Sequence, residues 1–411
     1  MNPTEFRKHF PGVETQIYLD VAARGLLPVD ARRALDDYLD TRMLEGGNKA
    51  AMFEQLERVR SQFAALIGAA SGEIAFTKNV SEGLNAIVAA YPWAGGDRVV
   101  YCPALEHPNN VYPWRHLAAR RGVELVEVPA EGGEISPDRI IAALDERTRM
   151  VSLSSVTFAP GLVTDVAAIG AVCRERGILL LVDAVQSVGL LATNVEALGI
   201  DALAVSTQKG LLALYGMGFL YCRAAWAQRL EPAYLARFSV DLGDAHEAAT
   251  GSDGYALMPG AKRFEVGNYN FAGAAAAEAS LSLLRRFPPS ALENHVRSLS
   301  AQLATGLAEL GLALIGPAHG PARGSMVCIG ALGAGGHDSV DDPALSSLHA
   351  FLTERQVRLS IRRGLLRFSV HAYNTAEEMA QVIALAREWQ KQPSRSSGTA
   401  TGRRPGHTNA A

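Results

Sequence analysis

Lys209 is the only charged side chain in STQKGLLALYGMGFLY (206–221), a run between two segments that read as strands. A charge in apolar surroundings is costly unless something neutralises or uses it. Asp183 closes the preceding apolar run, ILLLVD, so the two opposite charges fall at the carboxyl ends of successive strands. In open parallel sheets those ends form the ligand crevice. The pair reads in two ways. It is a buried ion pair, or it is the anchor of pyridoxal phosphate, which needs a lysine amine for a Schiff base and an acid to keep its pyridine nitrogen protonated.

The cofactor's other needs have candidates. A phosphate is held by backbone N–H groups at a helix N-terminus and by hydroxyls. FTKNVSEGLNAIV (76–88) offers a strand end, then Val80 and Ser81 opening a helix, while Ser206 and Gln208 flank Lys209 as further donors. His107, just after the run DRVVYC, is placed to stack on the ring, and Gln186, in DAVQ, to donate to the ring's phenolic oxygen.

The elements that must position these residues follow from hydrophobic patterning. EIAFT (73–77), DRVVYC (97–102), VELVEVP (123–129), RMVSLSSV (149–156), ILLLVDA (178–184), ALAVST (202–207) and GFLYC (218–222) are candidate strands. Several are apolar throughout, which suits strands covered on both faces, and most are separated by enough chain for a crossover helix. The expectation is an α/β fold with a mainly parallel seven-stranded sheet. Leu56, Val59, Phe63, Leu66 and Ile67 mark a helix stopped by Gly68. From about residue 285 the pattern changes to a smaller α+β unit: a helix over 291–311, strands at 312–316 and 325–330, a helix near 343–356, strands at 357–362 and 365–370, and a last helix from Thr375. The expected organisation is an N-terminal segment (1–30), a large domain (31–284), a small C-terminal domain (285–392) and a disordered tail (393–411).

A net charge of −3 gives no reason to expect nucleic acid or an anionic membrane as partner. Cys102, Cys173, Cys222 and Cys328 are scattered, with no metal-ligand spacing and no disulfide framework. With no leader-like N-terminus and no long apolar run, the chain is expected to be cytoplasmic.

Taken together, the motifs resemble the class V aminotransferase group of fold-type I pyridoxal phosphate enzymes, which includes cysteine desulfurases, selenocysteine lyase, kynureninase and isopenicillin N epimerase. The resemblance runs from YLDVAARGLLP (18–28) to LRFSVHAYNTAEEM (366–379). DAVQ is similar to the family's Asp-Ala-x-Gln, which implies Asp183 as pyridinium partner and Gln186 as ring-oxygen donor. STQKG is similar to Ser-x-His-Lys, which implies Lys209 as Schiff-base lysine and Ser206 as phosphate ligand. EHPNN is similar to Glu-His-x-x-Asn and implies His107 over the ring. KRFEVGNYN (262–270) resembles a segment that reaches the partner subunit's phosphate, which implies Asn268 in that place and a homodimer. RRGLLRFSVHAYNT (362–375) resembles the motif whose arginine, here Arg367, holds the substrate carboxylate, and Arg24 lies in a segment the family places near the substrate.

The pattern also departs from the family. Gln208 and Asn268 stand where histidine and threonine are usual, and SSVTFAPG (154–161) lacks a customary asparagine, with Thr157 or Phe158 in its neighbourhood. Desulfurases carry a nucleophilic cysteine on a loop between Arg-x-Gly and the substrate arginine, but here Arg362-Arg363-Gly364 runs straight into Leu365-Leu366-Arg367. Cys328, in SMVCIG, reads as a core thiol. The resemblance implies action on a small amino acid through an external aldimine and loss of the Cα proton. The favoured outcome is a desulfurase-like C–S β-elimination without a persulfide cysteine. Transamination is the alternative, followed by epimerisation, and a protein of this fold that only binds is disfavoured by the joint presence of Lys209, Asp183, His107 and Arg367.

Overall fold

All seven candidate runs fold as strands of one sheet: β1 (Ile74–Thr77), β2 (Arg98–Tyr101), β3 (Glu124–Glu127), β4 (Thr148–Ser154), β5 (Leu179–Asp183), β6 (Ala202–Ser206) and β7 (Gly218–Cys222). The computed structural model describes residues 1–243 and 254–392, so the tail 393–411 lies outside the described residues. Across the sheet the order is β1-β7-β6-β5-β4-β2-β3. Every pair from β6 to β3 is parallel, and β7 alone runs antiparallel to its neighbours β6 and β1. The reason is local: β6 reaches β7 through residues 207–217, a link too short to carry a crossover helix. The mainly parallel sheet expected from the sequence is therefore present, with its one exception at the lysine-bearing loop.

Both faces of this sheet are covered. Along β5, Leu180 and Val182 join one apolar cluster while Leu179 and Leu181 join the other, and β6 divides Leu203 and Val205 from Ala202 and Ala204 in the same way. That two-sided burial explains why these runs read as continuously apolar. Among the covering helices are α1 (Val29–Leu44), α2 (Lys49–Ile67), α3 (Val80–Ala90), α4 (Tyr112–Arg121), α5 (Val166–Arg176) and α6 (Phe271–Leu284). The α2 helix starts under an Asn48 cap and ends at Gly68, as its periodicity predicts.

The C-terminal part builds a separate antiparallel sheet of β8 (Met326–Gly330), β10 (Leu365–Ser369) and β9 (Ser360–Arg362), in that order, with α7 (Pro289–Glu309), α8 (Pro343–Glu354) and α9 (Ala376–Gln390). Two expectations need correction here. Residues 312–316 form no strand, only a single bridge between Leu314 and Ile329, because Gly311 and Gly316 turn the chain at both ends. The run 357–362 is not one strand. Val357–Arg358 pairs in parallel with Ile17–Tyr18, and after Leu359 the chain changes partner to β10. The N-terminal segment is thus tied to the C-terminal sheet, and Ser369 N–H donating to Leu19 O at 2.8 Å extends the tie. No described helix is long and apolar enough to cross a membrane.

Candidate active site

The carboxyl ends of β1, β4, β5 and β6 converge on a cavity of about 360 Å³, roofed by the N-terminal segment and the C-terminal sheet. Ten of the sequence candidates line it: Arg24, Val80, Ser81, His107, Asp183, Gln186, Ser206, Gln208, Lys209 and Arg367. Asn268 does not. It faces a separate cavity with Thr77, Lys78, Glu82 and Gly216.

Lys209 sits in the β6–β7 link, whose shape is fixed from several sides. Thr207 N–H donates to Met217 O and its hydroxyl to Leu214 O at 2.6 Å, and His371 Nε2 lies 3.0 Å from Gly210 O. The N-terminal segment closes over the link through Gly25 N–H to Gln208 O at 2.8 Å. A Cβ at Gly25 would stand 2.5 Å from Lys209 O, so only glycine permits this approach. Burial pulls the Lys209 ammonium down to about 8, with Arg367 and Arg362 adding to the lowering and Asp183 opposing it.

Asp183 is buried at the end of β5. Its Oδ1 accepts from Val185 N–H at 2.9 Å and its Oδ2 from Asn110 Nδ2 at 3.1 Å. Burial raises its carboxyl, and those donors together with Lys209 pull it back toward ionisation. His107 closes one side, packed edge-on against Phe158 with ring centroids 5.2 Å apart. Its Nδ1 accepts from Asn109 N–H at 3.2 Å. Burial, then Lys209, lowers its imidazole to about 4, so it is neutral near pH 7.

The opposite corner is a helix N-terminus. The Asn79 side chain caps α3 by accepting from Glu82 N–H at 3.0 Å. Val80 N–H donates to Ser206 Oγ at 2.7 Å, which joins the helix to β6 and leaves the Ser206 proton free to be donated. Ser81 Oγ accepts from Asn109 Nδ2 at 2.6 Å. Gln186 gives one N–H to Ala22 O at 3.1 Å and keeps another, while its buried Oε1 has no partner.

Arg367 reaches in from β10. Its Nε donates to Ser360 Oγ at 3.1 Å and its Nη1 to Phe158 O at 2.9 Å, while Nη2 lies 4.0 Å from Asp20 Oδ1, a buried oxygen with no hydrogen bond. Thr157 is not in the cavity; its hydroxyl accepts from Gly161 and Leu162 N–H within its own loop. At Arg363-Gly364 both residues have positive φ, 51° and 81°, forming the two-residue turn of a tight hairpin. Cys328 is fully buried on β8 with its thiol pushed up to about 12 by burial.

The sequence reading passed over several lining residues: Asn109, Ser154, Tyr215, His337 and Arg362. Asn109 sat within the quoted EHPNN. His337 and Arg362 carried no signal of their own, because the pairing of β9 with β10 and the loop after β8 bring them to the mouth.

The profile of the family described as Aminotransferase class-V matches residues 17–382. The chain belongs to that family. A probable cysteine desulfurase of Methanothermobacter thermautotrophicus is 32% identical over 394 residues, 92% of this chain and 96% of that one. The apo structure of the cysteine desulfurase from Thermococcus onnurineus NA1 superposes with a TM-score of 0.81 at 26% identity, covering 94% and 98% of the two chains. A C-DES mutant with glycine covalently linked to its PLP cofactor shares the fold, with a TM-score of 0.80 at 24% identity over 92% of this chain and 98% of its own.

This class V aminotransferase-family chain is a pyridoxal phosphate-dependent enzyme of fold type I. Its own cavity fits the cofactor. A half-buried amine of lowered basicity, a buried carboxylate, the free hydroxyl protons of Ser81 and Ser206 at a helix N-terminus and a neutral imidazole are the groups that the aldehyde, ring nitrogen, phosphate and ring face each require.

Proposed function

We propose that this enzyme is a C–S lyase that eliminates the β-substituent of a sulfur amino acid without a cysteine nucleophile. The observation that carries this reading is the tight turn at Arg363-Gly364. It stands where the resembling desulfurases have their cysteine loop, and the chain's four cysteines are all buried. A buried thiol of raised pKa is a poor nucleophile.

Bound in the cavity, pyridoxal phosphate supplies an electron sink that lets Cα release its proton and Cβ its leaving group. Asp183 holds a negative charge for the ring nitrogen. Ser81, Ser206 and Gln208 offer donors for the phosphate beside Val80, whose N–H is held by Ser206 Oγ, and Gln186 offers its free N–H to the ring oxygen. The neutral His107 covers a ring face. Lys209 Nζ would hold the cofactor, and an amine near 8 suits the task of taking the proton from Cα. Arg367 receives the α-carboxylate, which fixes the substrate so that its Cα–H points to Lys209, and Arg24 borders the mouth. Overall the Cα proton and the Cβ thiolate leave, and water carries the remaining skeleton to pyruvate and ammonia with no oxidant consumed.

In the same reading residues 1–30 form a segment over the site, 31–284 the large domain and 285–392 the small one. The molecule is a homodimer in which Asn268 serves the partner subunit's site. The deciding experiment incubates the enzyme with cysteine, cystine, alanine and several amino donors, and scores sulfide, pyruvate and new amino acids separately. Sulfide or persulfide sulfur released with stoichiometric pyruvate is the expected result. Amino exchange dependent on a keto acid, with no sulfur released, would instead make it an aminotransferase.

A further inference from the structure

Two carboxylates lie buried beneath the cavity, Asp183 at 5% exposure and Glu106 at 4%. The first is assigned above to the ring nitrogen, while Glu106 has no part in that assignment. A single amide connects them. Asn110 Nδ2 donates to Glu106 Oε2 at 2.6 Å and to Asp183 Oδ2 at 3.1 Å, and Asn110 Oδ1, also buried, has no partner. The amide is therefore oriented by the two carboxylates. Ser154 completes the arrangement from β4: its N–H donates to Glu106 Oε1 at 2.7 Å and its hydroxyl to Oε2 at 2.5 Å. Buried networks of this kind fix geometry when their donors and acceptors are matched, and here each carboxylate oxygen of Glu106 has a donor.

We propose that Glu106 is a positioning residue for the cofactor: through Asn110 and Ser154 it holds Asp183 on the ring nitrogen, and its own charge sets how firmly positive charge is held there. This rests on the assignment of Asp183 to the pyridine nitrogen. The ionisable groups facing Glu106 are Asp183 from β5 and the Cys102 thiol after β2, with Lys209 beyond Asp183. Burial pushes the Cys102 thiol up to about 11, so it stays neutral. Burial, with Asp183 reinforcing, raises the Glu106 carboxyl to about 7, against the donors Ser154 and Asn110. As pH rises through that value Glu106 becomes negative, and a negative charge next to Asp183 favours a proton on the cofactor.

The test follows the visible absorption of the bound cofactor against pH in the holoenzyme, for wild type, Glu106→Gln, Glu106→Asp, Asn110→Ala and the double variant Glu106→Gln/Asn110→Ala. In Glu106→Gln the pH midpoint of the cofactor band falls by about half a unit or more, and the spectra of the two proteins diverge above about pH 7 while agreeing below it. Glu106→Asp restores part of the shift because it keeps the charge. The double variant differs from Asn110→Ala in the same direction, since the Glu106 charge reaches Asp183 across space as well as through the amide. A folded Glu106→Gln enzyme with the wild-type midpoint, or a double variant with the midpoint of Asn110→Ala, overturns the proposal. If Glu106→Gln does not fold, Asn110→Ala tests the link to Asp183, and an unmoved midpoint there overturns it. A wild-type enzyme with no cofactor band overturns the cofactor site itself, whereas a normal wild-type band with unmoved variants overturns the role of Glu106 alone.

Discussion

Lys209 carries a prediction that concerns the chain before its cofactor arrives. Capture of the aldehyde needs the unprotonated amine, and burial brings that amine from 10.5 to about 8. Loading of the cofactor-free protein should speed up by roughly tenfold per pH unit below 8 and level off above it. Stopped-flow absorbance at fixed cofactor concentration measures this, and a rate still climbing tenfold per unit past pH 9 would show that Lys209 keeps its ordinary basicity. Lys209→Ala should abolish the borohydride-reducible band while the circular dichroism stays unchanged; a reducible band in that variant would move the anchor elsewhere. Arg367→Lys keeps a positive charge but loses the planar fork that matches a carboxylate. Its KM should rise by about tenfold or more with a smaller change in kcat, since one uniform binding contact is weakened. An unchanged KM would remove Arg367 from the carboxylate site. At this scale the sequence exposed residues whose chemistry is costly without a purpose, above all Lys209 and Asp183. It showed Asn110 only as the last residue of EHPNN and gave no sign of Ser154, because their value here comes from the buried carboxylates they touch.

The α3 helix shows how an element converts sequence into a site. Asn79 caps it, Ser206 pins its first N–H, and its N-terminus opens on the cavity. Asn79→Ala should lower stability by about 1 kcal/mol, the usual worth of such a cap. It should also weaken cofactor binding several-fold, because the frayed first turn no longer presents its N–H groups. Thermal melting and a cofactor titration check the two effects; a lowered melting point with unaltered cofactor affinity would separate the cap from the phosphate site. The large sheet was legible because two-sided burial forces apolar runs. The C-terminal sheet was harder to read, since its strands are short and exchange partners. Nothing in VRLSIR signals that Val357–Arg358 pairs with Ile17–Tyr18 while Ser360–Arg362 pairs with β10. Long-range pairing of two-residue strands leaves no periodicity to detect.

For the whole molecule, the outlying residue is the informative one. Asn268 lines a cavity apart from the lysine, and one face of α1 leaves Leu39, Met43 and Leu44 at 55%, 74% and 75% exposure. Apolar side chains grouped in this way are usual where a second subunit docks. If the dimer proposed above forms and Asn268 crosses to the partner's site, two defective chains must complement each other. Lys209→Ala has no anchor of its own but a normal Asn268, and Asn268→Ala has a normal anchor but no side chain to lend. Mixed dimers then contain one doubly defective site and one intact site. With random reassortment half of the dimers are mixed, so at a cofactor concentration that fills intact sites but not those lacking Asn268 an equal mixture should recover about a quarter of wild-type activity. The mixture is prepared by unfolding and refolding the two variants together and is compared with each variant refolded alone. If Asn268 acts within its own chain, no dimer contains an intact site, and the mixture shows only the average of its parents.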